Sequence, residues 1–286
     1  MSDVEDWYTE RLLGRAGYSL PVRKRLHKER SAFQEIEVFD SLHHGRVLAL
    51  DGAIMLTELD EFPYHELLTH PALWTLQKAE RAFLVGGGDG GTVGELLRRD
   101  GLEITVAEID ERVVRVSQEY FPELAKSLDD PRVTLSFADG VAALREAEGS
   151  GLDLVVVDGT DPVGPAAGLI ESEFYETVAA ALSPAGVFTA QTQSPFYHPE
   201  AITKIYRGLG EAFANVRMYW GVCPSYLGAF WTFAYASQER DPLRDLVPPT
   251  GLETRYWTPE VHRAAFVLPP FVQACLPEGH PQRTHV

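Results

Sequence analysis

The chain has 286 residues, 45% hydrophobic and 23% charged, an ordinary globular composition that suits one large α/β domain with a smaller appendage. Its 42 acidic and 25 basic residues give a net charge of -17, which disfavours nucleic acid and anionic membranes as partners and favours small cations. The two cysteines, Cys223 and Cys275, lack metal-ligand spacing, so we expect neither a disulfide framework nor a metal site. The first residues are acidic and no apolar run reaches the length of a membrane span, so we expect a cytoplasmic protein without a membrane span.

The N-terminal part of the chain predicts a small antiparallel β unit. Strand-like runs lie at residues 33–40, 46–50 and 53–56. Asp51-Gly52 separates the last two runs, and Asp-Gly between apolar runs is a strong hairpin signal. We therefore predict an N-terminal β domain over residues 1–68 and a second domain over residues 69–286.

From about residue 70 onward, strand-like and helix-like segments alternate. Apolar strand-like runs lie at residues 82–86, 103–109, 133–138, 152–158 and 186–192. Helix-like segments lie at about residues 92–100, 111–120, 141–148, 172–182 and 199–213. Two final runs, at 216–222 and 231–237, are too close for a crossover helix and must pair antiparallel. The prediction is an α/β fold with a Rossmann-like, methyltransferase-type doubly wound sheet.

A glycine-rich loop follows the first of these strands. Gly86, Gly88 and Gly91 fit the spacing of a nucleotide-binding turn, and Glu108 follows at the distance expected for a ribose contact. The loop also contains Asp89, whose carboxylate would repel the pyrophosphate that such turns usually bind. The sequence therefore predicts a nucleoside ligand whose tail is positively charged.

Acidic residues stand at the ends of four successive predicted strands, where a doubly wound sheet binds its ligands. Besides Asp89, they are Glu108, suited to ribose hydroxyls, Asp139-Gly140, suited to an adenine amino group, and Asp158. Asp and Gly are also ordinary loop and capping residues, so Asp139 or Glu108 taken singly can equally be structural. All four strand ends carry an acidic residue and none carries Lys or Arg, which argues against a phosphate or carboxylate ligand.

Asp158 and Asp161 form the sharpest group of candidate residues. Two carboxylates three residues apart can hold a cation, or one can act as a base while the other orients the substrate. The alternative is a cap on the next helix. That helix is predicted to begin only near Ser172, and the Gly- and Pro-containing loop at 159–171 suits a mobile lid better than a cap.

Together these motifs resemble the polyamine aminopropyltransferase family, most closely its bacterial spermidine synthases. The similarity spans nearly the whole chain and is specific because GGGDGG, D-x-x-D-P and D-E-F-x-Y-H-E occur together. The matching segments are residues 7–10, 33–34, 50–52, 60–66, 86–91, 108–110, 139–140, 158–165, 191–195, 224–226 and 259–263.

The resemblance implies transfer of the aminopropyl group of decarboxylated S-adenosylmethionine to a diamine, usually putrescine, giving spermidine and methylthioadenosine. The decarboxylated S-adenosylmethionine is a co-substrate, and no further cofactor or metal is implied because the sulfonium already activates the leaving group. The family usually assembles through its N-terminal β domain, so a homodimer or homotetramer is expected.

The resemblance also implies roles for individual residues. Nucleoside and aminopropyl-donor binding falls to Gln34, His65, Gly86, Gly88, Asp89, Glu108, Asp139 and Gly140. Amine-acceptor binding falls to Trp7, Tyr64, Asp158, Asp161, Gln193 and Tyr226. Asp158 is the candidate base that takes or relays the amine proton, and Tyr64 and Tyr226 would orient the amine. Both tyrosines also have an alternative explanation as core residues.

The sequence departs from the family pattern at three positions. Gly94 stands where many relatives have arginine, Gln193 where they commonly have glutamate, and Leu227 replaces a proline. Gln193 lies in the segment that would grip the far end of the acceptor, so spermidine, agmatine or cadaverine stays open as acceptor. A S-adenosylmethionine methyltransferase and a non-catalytic polyamine-binding relative are the remaining alternatives.

Overall fold

The computed structural model describes residues 6–12, 14, 16–160 and 164–284. Their strands form one sheet of five strands and one of seven. The first sheet is antiparallel and follows chain order: β1 (Trp7–Leu12), β2 (Ala16–Arg30), β3 (Glu35–Ser41), β4 (Arg46–Leu50) and β5 (Ala53–Thr57). The second sheet contains β6 (Arg81–Gly86), β7 (Glu103–Glu108), β8 (Val133–Phe137), β9 (Leu152–Asp158), β10 (Leu182–Gln191), β11 (Asn215–Val222) and β12 (Phe230–Ser237).

The second sheet has the strand order β11-β12-β10-β9-β6-β7-β8. Its last five strands in this order are parallel, whereas β12 is antiparallel to both neighbours. The α-helices are α1 (Glu61–Leu73), α2 (Gly91–Leu96), α3 (Glu111–Tyr120), α4 (Pro122–Ala125), α5 (Gly140–Glu146), α6 (Ser172–Ala181), α7 (Pro199–Ala212), α8 (Pro259–Ala265) and α9 (Pro270–Gln273). The predicted fold class is confirmed, including the antiparallel pair that ends the sheet.

The predicted hairpin connects β4 and β5 at Asp51-Gly52. Both turn residues have a positive φ, 45° for Asp51 and 86° for Gly52, which a two-residue type I′ turn requires. The register of β4 and β5 shifts between Leu48 and Ala49, so Met55 is without a paired residue on β4, and it lines the cavity described below.

Strand β3 is buried on both faces, although its alternating sequence predicts one buried and one polar face. Ile36 and Val38 pack in a cluster with Val113 of α3, so this face docks on the second sheet's helices. On the opposite face, the ring of Phe39 stacks on Tyr8 with centroids 4.5 Å apart. The face of Ile36 and Val38 ties the small sheet to the rest of the molecule, whereas the face of Phe39 packs against residues of the small sheet itself.

Helix α1 is absent from the predicted elements because it is buried on almost every side and lacks the polar face that reveals an amphipathic helix. The hydroxyls of Thr189 and Tyr219, on the second sheet, donate to the carbonyls of Leu68 and Leu67 at 2.8 Å. The predicted domain boundary at residue 68 falls inside this helix. We propose that the N-terminal domain ends before Glu61.

The remaining helices differ from prediction mainly at their ends. The helix predicted at 92–100 ends at Leu96, because the chain turns back through Gly101, with φ of 73°, into β7. Among the described residues, no helix combines the length and apolar character needed to cross a bilayer. The cytoplasmic location stays a prediction.

The parallel strands place their carboxyl ends at one edge of the second sheet. Strand β6 ends in Gly86, β7 in Glu108 and β9 in Asp158, and Gly86 pairs in register with Asp158. Helix α1 and the β4–β5 hairpin border the same edge and contribute Tyr64 and Met55 to its cavity. The strand-end acids predicted from the sequence are therefore neighbours in space.

Candidate active site

A cavity of about 1030 Å³, including its open mouth, lies at this edge of the sheet. Ten of the predicted site residues are in its wall: Gln34, Tyr64, Gly86, Gly88, Asp89, Glu108, Asp139, Gly140, Asp158 and Tyr226. A second cavity of about 500 Å³ adjoins the first and shares Tyr64 and Tyr226 as walls. The molecule therefore offers two connected compartments, with Asp158 in the wall of the larger one.

The glycine loop approaches its neighbours so closely that side chains cannot fit. A Cβ at Gly86, where φ is 80°, would lie 2.0 Å from the carbonyl oxygen of Asp158. A Cβ at Gly91 would lie 2.1 Å from the ring of His65. The glycines therefore bring β9 and α1 against the loop, which gathers Asp158 and His65 around Asp89.

Glu108 lies beneath the loop at the end of β7. Its Oε2 accepts the backbone N–H of Gly88 at 3.1 Å, and its Oε1 accepts that of Asp110 at 2.9 Å. Burial raises the pKa of Glu108 to about 7. The Gln34 amide donates to Asp110 Oδ2 at 3.1 Å, which joins the first sheet to this side of the cavity.

Asp139 lines the cavity and also caps helix α5. Its Oδ1 accepts the backbone N–H groups of Val141 and Ala142 at 2.8 and 3.1 Å. The capping alternative raised from the sequence is therefore present, and it uses one carboxylate oxygen. Gly140 follows in the cavity wall.

Asp89, His65 and Glu61 form a chain of titratable groups in which His65 is buried and the side chains of Glu61 and Asp89 are 14% and 16% exposed. Asp89 Oδ1 accepts the N–H of Gly91 at 2.7 Å and lies 3.7 Å from His65 Nε2. His65 Nδ1 lies 2.8 Å from Glu61 Oε2, and the histidine is only 2% exposed. Burial lowers the pKa of His65, but the hydrogen bonds with Asp89 and Glu61 outweigh burial and hold it well above its ordinary value. These two carboxylates therefore favour the protonated form of His65.

Asp158 is held by two hydroxyl groups. Its Oδ1 accepts from the Tyr64 hydroxyl at 2.9 Å and its Oδ2 from the Thr92 hydroxyl at 2.6 Å. Burial, followed by the nearby charge of Asp89, raises the pKa of Asp158 to about 6. Burial also keeps the pKa of Tyr64 well above its ordinary value, so Tyr64 acts as a hydrogen-bond donor. A carboxylate with such a pKa is ionised at pH 7 but accepts a proton readily.

His65, Asp89 and Asp158 also bring potential metal-ligand atoms within 4.8 Å of one another. A protonated imidazole cannot coordinate a metal ion, since both ring nitrogens carry hydrogen. A metal ion here would therefore have to displace a proton that Asp89 and Glu61 favour on the His65 ring, which disfavours coordination by this residue.

The structure places Tyr226 between the two cavities. Its hydroxyl donates to the carbonyl oxygen of Met55 at 2.8 Å, and its ring meets that of Tyr64 edge-on with centroids 5.3 Å apart. The ring rather than the hydroxyl therefore shapes the cavities. The predicted role of the hydroxyl in orienting an amine stays a prediction.

Among the described residues, His65, Trp7 and Gln193 are predicted site residues that line neither cavity, although His65 lies against Asp89. Trp7 is 52% exposed on β1. Gln193 is 1% exposed, has a φ of 77°, and donates to Gln191 Oε1 through its backbone N–H at 3.0 Å, so it lies behind Gln191. Asp161 lies outside the described residues. Trp7 and Gln193 could therefore contact an acceptor only if the surrounding residues moved, or act on it through a side chain that lies between them.

Two of the residues that the sequence reasoning missed are Glu10 and Gln191, both in the wall of the second cavity. Glu10 Oε2 accepts the N–H of Ile54 at 3.0 Å, and Gln191 Oε1 accepts from the Trp231 indole at 3.0 Å. Thr92 was also missed. All three stand in or directly beside segments that match the family's motifs, and this position could have identified them as candidate site residues.

Comparisons with known proteins agree with this architecture. Residues 61–245 match the family model of the spermine/spermidine synthase domain, and residues 6–58 match that of the spermidine synthase tetramerisation domain. The polyamine aminopropyltransferase of Shouchella clausii is 40% identical over 275 residues, covering 96% of this chain and 100% of the relative. That of Moorella thermoacetica is 43% identical over 272 residues, covering 94% and 96%.

Two solved structures share the fold of this chain at lower sequence identity. A crystal structure of spermidine synthase in complex with the transition state analogue AdoDATO matches with a TM-score of 0.92 and 33% identity, covering 95% of this chain and 94% of the other. Spermidine synthase from Thermotoga maritima matches with a TM-score of 0.90 and 33% identity, covering 94% of each chain.

Proposed function

The chain belongs to the spermine/spermidine synthase family and is an enzyme of the polyamine aminopropyltransferase class, and on this premise we propose that it is a spermidine synthase. It would transfer the aminopropyl group of decarboxylated S-adenosylmethionine to putrescine, releasing methylthioadenosine. The observation that supports this most is Asp89, a carboxylate only 16% exposed inside the glycine loop, 3.7 Å from His65 Nε2 and in the wall of the same cavity as Asp158.

The donor would occupy the larger cavity. Its ribose would lie against Glu108 and Gln34, and its adenine against Asp139. Its aminopropyl ammonium would pair with Asp89, which also repels the carboxylate of intact S-adenosylmethionine. Such a ligand is a dication, and the acidic wall described above fits that charge.

The acceptor would extend from Asp158 into the second cavity. Its reacting nitrogen would lie near Asp158 and Tyr64, whereas its distal ammonium would lie toward Glu10 and Gln191. Glu10 is 8% exposed, so its carboxylate offers a poorly hydrated partner for an ammonium ion. In this arrangement Gln191 makes the contact with the acceptor that the sequence analysis assigned to Gln193.

The reaction needs a neutral amine. A primary amine has a pKa near 10.4, so removing its proton at pH 7 costs roughly 4–5 kcal/mol. Asp158 would take that proton while the nitrogen lone pair attacks the carbon next to the sulfonium. The carbon–sulfur bond then breaks, its electron pair stays on sulfur, and methylthioadenosine leaves. Holding amine and sulfonium in line supplies much of the remaining acceleration.

We also propose that the chain forms a homodimer or homotetramer. The support is the match of residues 6–58 to the family model of a tetramerisation domain. Trp7 lies on the surface of this domain, where a partner subunit can reach it.

The function is tested by offering purified protein decarboxylated S-adenosylmethionine with putrescine, cadaverine, agmatine or spermidine and identifying products by mass spectrometry. We expect spermidine and methylthioadenosine in equal amounts, with putrescine giving the highest kcat/KM. Preference for another amine would overturn the acceptor assignment alone. Methylated products from S-adenosylmethionine, or ligand binding without turnover, would overturn the proposed function.

The activity should fall as the pH drops below neutrality, because two carboxylates in the cavity have raised pKa values. Glu108, at about 7, and Asp158, at about 6, are both needed ionised, so protonation of either removes activity. We expect kcat/KM at low concentrations of both substrates to fall about tenfold per pH unit below 7 and more steeply below 6. A Glu108→Gln variant, which imitates the protonated side chain, should be much less active at every pH, and its residual activity should show only the limb near 6. A flat profile between pH 5 and 8 would contradict both assignments.

A further inference from the structure

The loop that would bind the donor also contacts the candidate base. Thr92, directly after the glycines, is fully buried, and its hydroxyl donates to Asp158 Oδ2 at 2.6 Å. The N–H of Gly87 donates to the carbonyl oxygen of Asp158 at 3.1 Å. We propose that Thr92 is a positioning residue for this reaction, which orients the Asp158 carboxylate and favours its ionised form so that Oδ1 faces the amine. The proposal rests on the proposed function.

The position of Thr92 is fixed by its surroundings. It stands in the first turn of α2, after Gly90 with φ of 87° and Gly91 against the His65 ring. A fully buried hydroxyl needs a hydrogen-bond partner, and an ionised carboxylate can only accept. Thr92 is therefore the donor in this bond, and such a bond stabilises the charged form of Asp158.

The two oxygens of Asp158 have different partners. Tyr64, on α1, donates to Oδ1, whereas Thr92, on α2, donates to Oδ2. Each carboxylate oxygen has about two acceptor positions, so Oδ1 can receive the amine proton while it still accepts from Tyr64. Without Thr92, Tyr64 alone would hold the carboxylate, and its plane would be less well fixed relative to the amine.

The charged groups around Asp158 determine how strongly the Thr92 hydroxyl affects the pKa of Asp158. Asp158 is surrounded by the carboxylates of Asp89 and Glu108 and by the phenols of Tyr64 and Tyr226. The positive charge of protonated His65, which is paired with Glu61, partly offsets the negative charge of these carboxylates. Burial and Asp89 raise the pKa of Asp158, whereas the hydroxyls of Thr92 and Tyr64 lower it. Removing the Thr92 hydroxyl should therefore raise that pKa further.

The test is the pH profile of Thr92→Val, which keeps the shape of the side chain and removes its hydroxyl. We expect the Asp158 limb of kcat/KM to move up by about one pH unit, with kcat about twofold lower at pH 7, about tenfold lower at pH 5 and restored at pH 9. Thr92→Ser should recover the wild-type profile. The Kd of methylthioadenosine should stay within about twofold, since neither the nucleoside contacts nor Asp89 change. An equal loss at every pH, with an unmoved limb, would show a packing role and overturn the proposal.

A second buried threonine provides the matched control. The hydroxyl of Thr75 is fully buried and bonds to the Ala72 carbonyl and the Tyr235 hydroxyl. Thr75→Val should lower Tm without moving the pH limb. Should Thr92→Val fail to fold, Thr92→Ala must show the same upward movement. If the wild-type protein makes no aminopropyl product, the proposed function fails; if it does and Thr92→Val keeps the wild-type profile, only this inference fails.

Discussion

Replacing Asp158 by asparagine should lower kcat about 10³-fold, the largest effect that we expect from one substitution. Asparagine keeps the size of the side chain, and its single amide oxygen can still accept from one of the Tyr64 and Thr92 hydroxyls. It cannot take a proton from an ammonium ion, so the cost of forming the neutral amine is no longer offset. Single-turnover measurement at saturating substrates separates this chemical step from binding.

Two measurements make the result specific. The Kd of methylthioadenosine should change less than about twofold, because Glu108 and Asp139 still face the nucleoside. Asp153 provides the control, since it stands on the same strand and its Oδ2 accepts the N–H groups of Glu80 and Arg81 at 2.7 and 3.1 Å, at the opposite edge of the sheet. Asp153→Asn should keep normal turnover. Normal turnover in Asp158→Asn would eliminate Asp158 as the base.

Replacing Asp89 by asparagine should raise the Kd of decarboxylated S-adenosylmethionine about 10²-fold. Losing one partner of a buried charge pair costs about 2–5 kcal/mol, and the aminopropyl ammonium would face the His65 imidazolium without its counter-ion. The asparagine oxygen can still accept the N–H of Gly91, so the loop should keep its shape. Calorimetric titration of the variant with the donor measures the loss.

Methylthioadenosine and S-adenosylmethionine serve as controls for Asp89. The first lacks the aminopropyl group, so its Kd should be nearly unchanged. The second carries a carboxylate that Asp89 would repel, so the variant should discriminate less between the carboxylated and decarboxylated forms. If all three ligands lose affinity equally, the substitution has disturbed the loop, and the assignment of Asp89 to the ammonium is wrong.

Parts of the fold and the cavity wall could be predicted because they follow from local patterns. Alternating strand and helix segments imply a parallel sheet, and parallel strands put their carboxyl ends at one edge. Asp89, Glu108, Asp139 and Asp158 could therefore be grouped without a structure. The Asp51-Gly52 hairpin was equally predictable, since its turn type demands positive φ.

The structure changes the account of residues whose environment depends on distant segments. Tyr226 bonds to Met55, 171 positions away, and its hydroxyl is directed there rather than at the candidate base. Glu10 reaches the second cavity only because β1 and the β4–β5 hairpin come together, where it accepts from Ile54. No periodicity predicts such pairings, because side-chain contacts between distant segments follow from packing.

By itself, the sequence determined the fold class, the acidic edge and the glycine loop with its inverted charge. Only the tertiary structure decided that α1 lies against that loop, that Glu61 and Asp89 raise the pKa of His65, and that Tyr64 and Thr92 hold the two oxygens of Asp158. The reason is that a hydrogen-bond direction or a shifted pKa depends on burial and on charges only a few ångströms away, and those neighbours come from all parts of the chain.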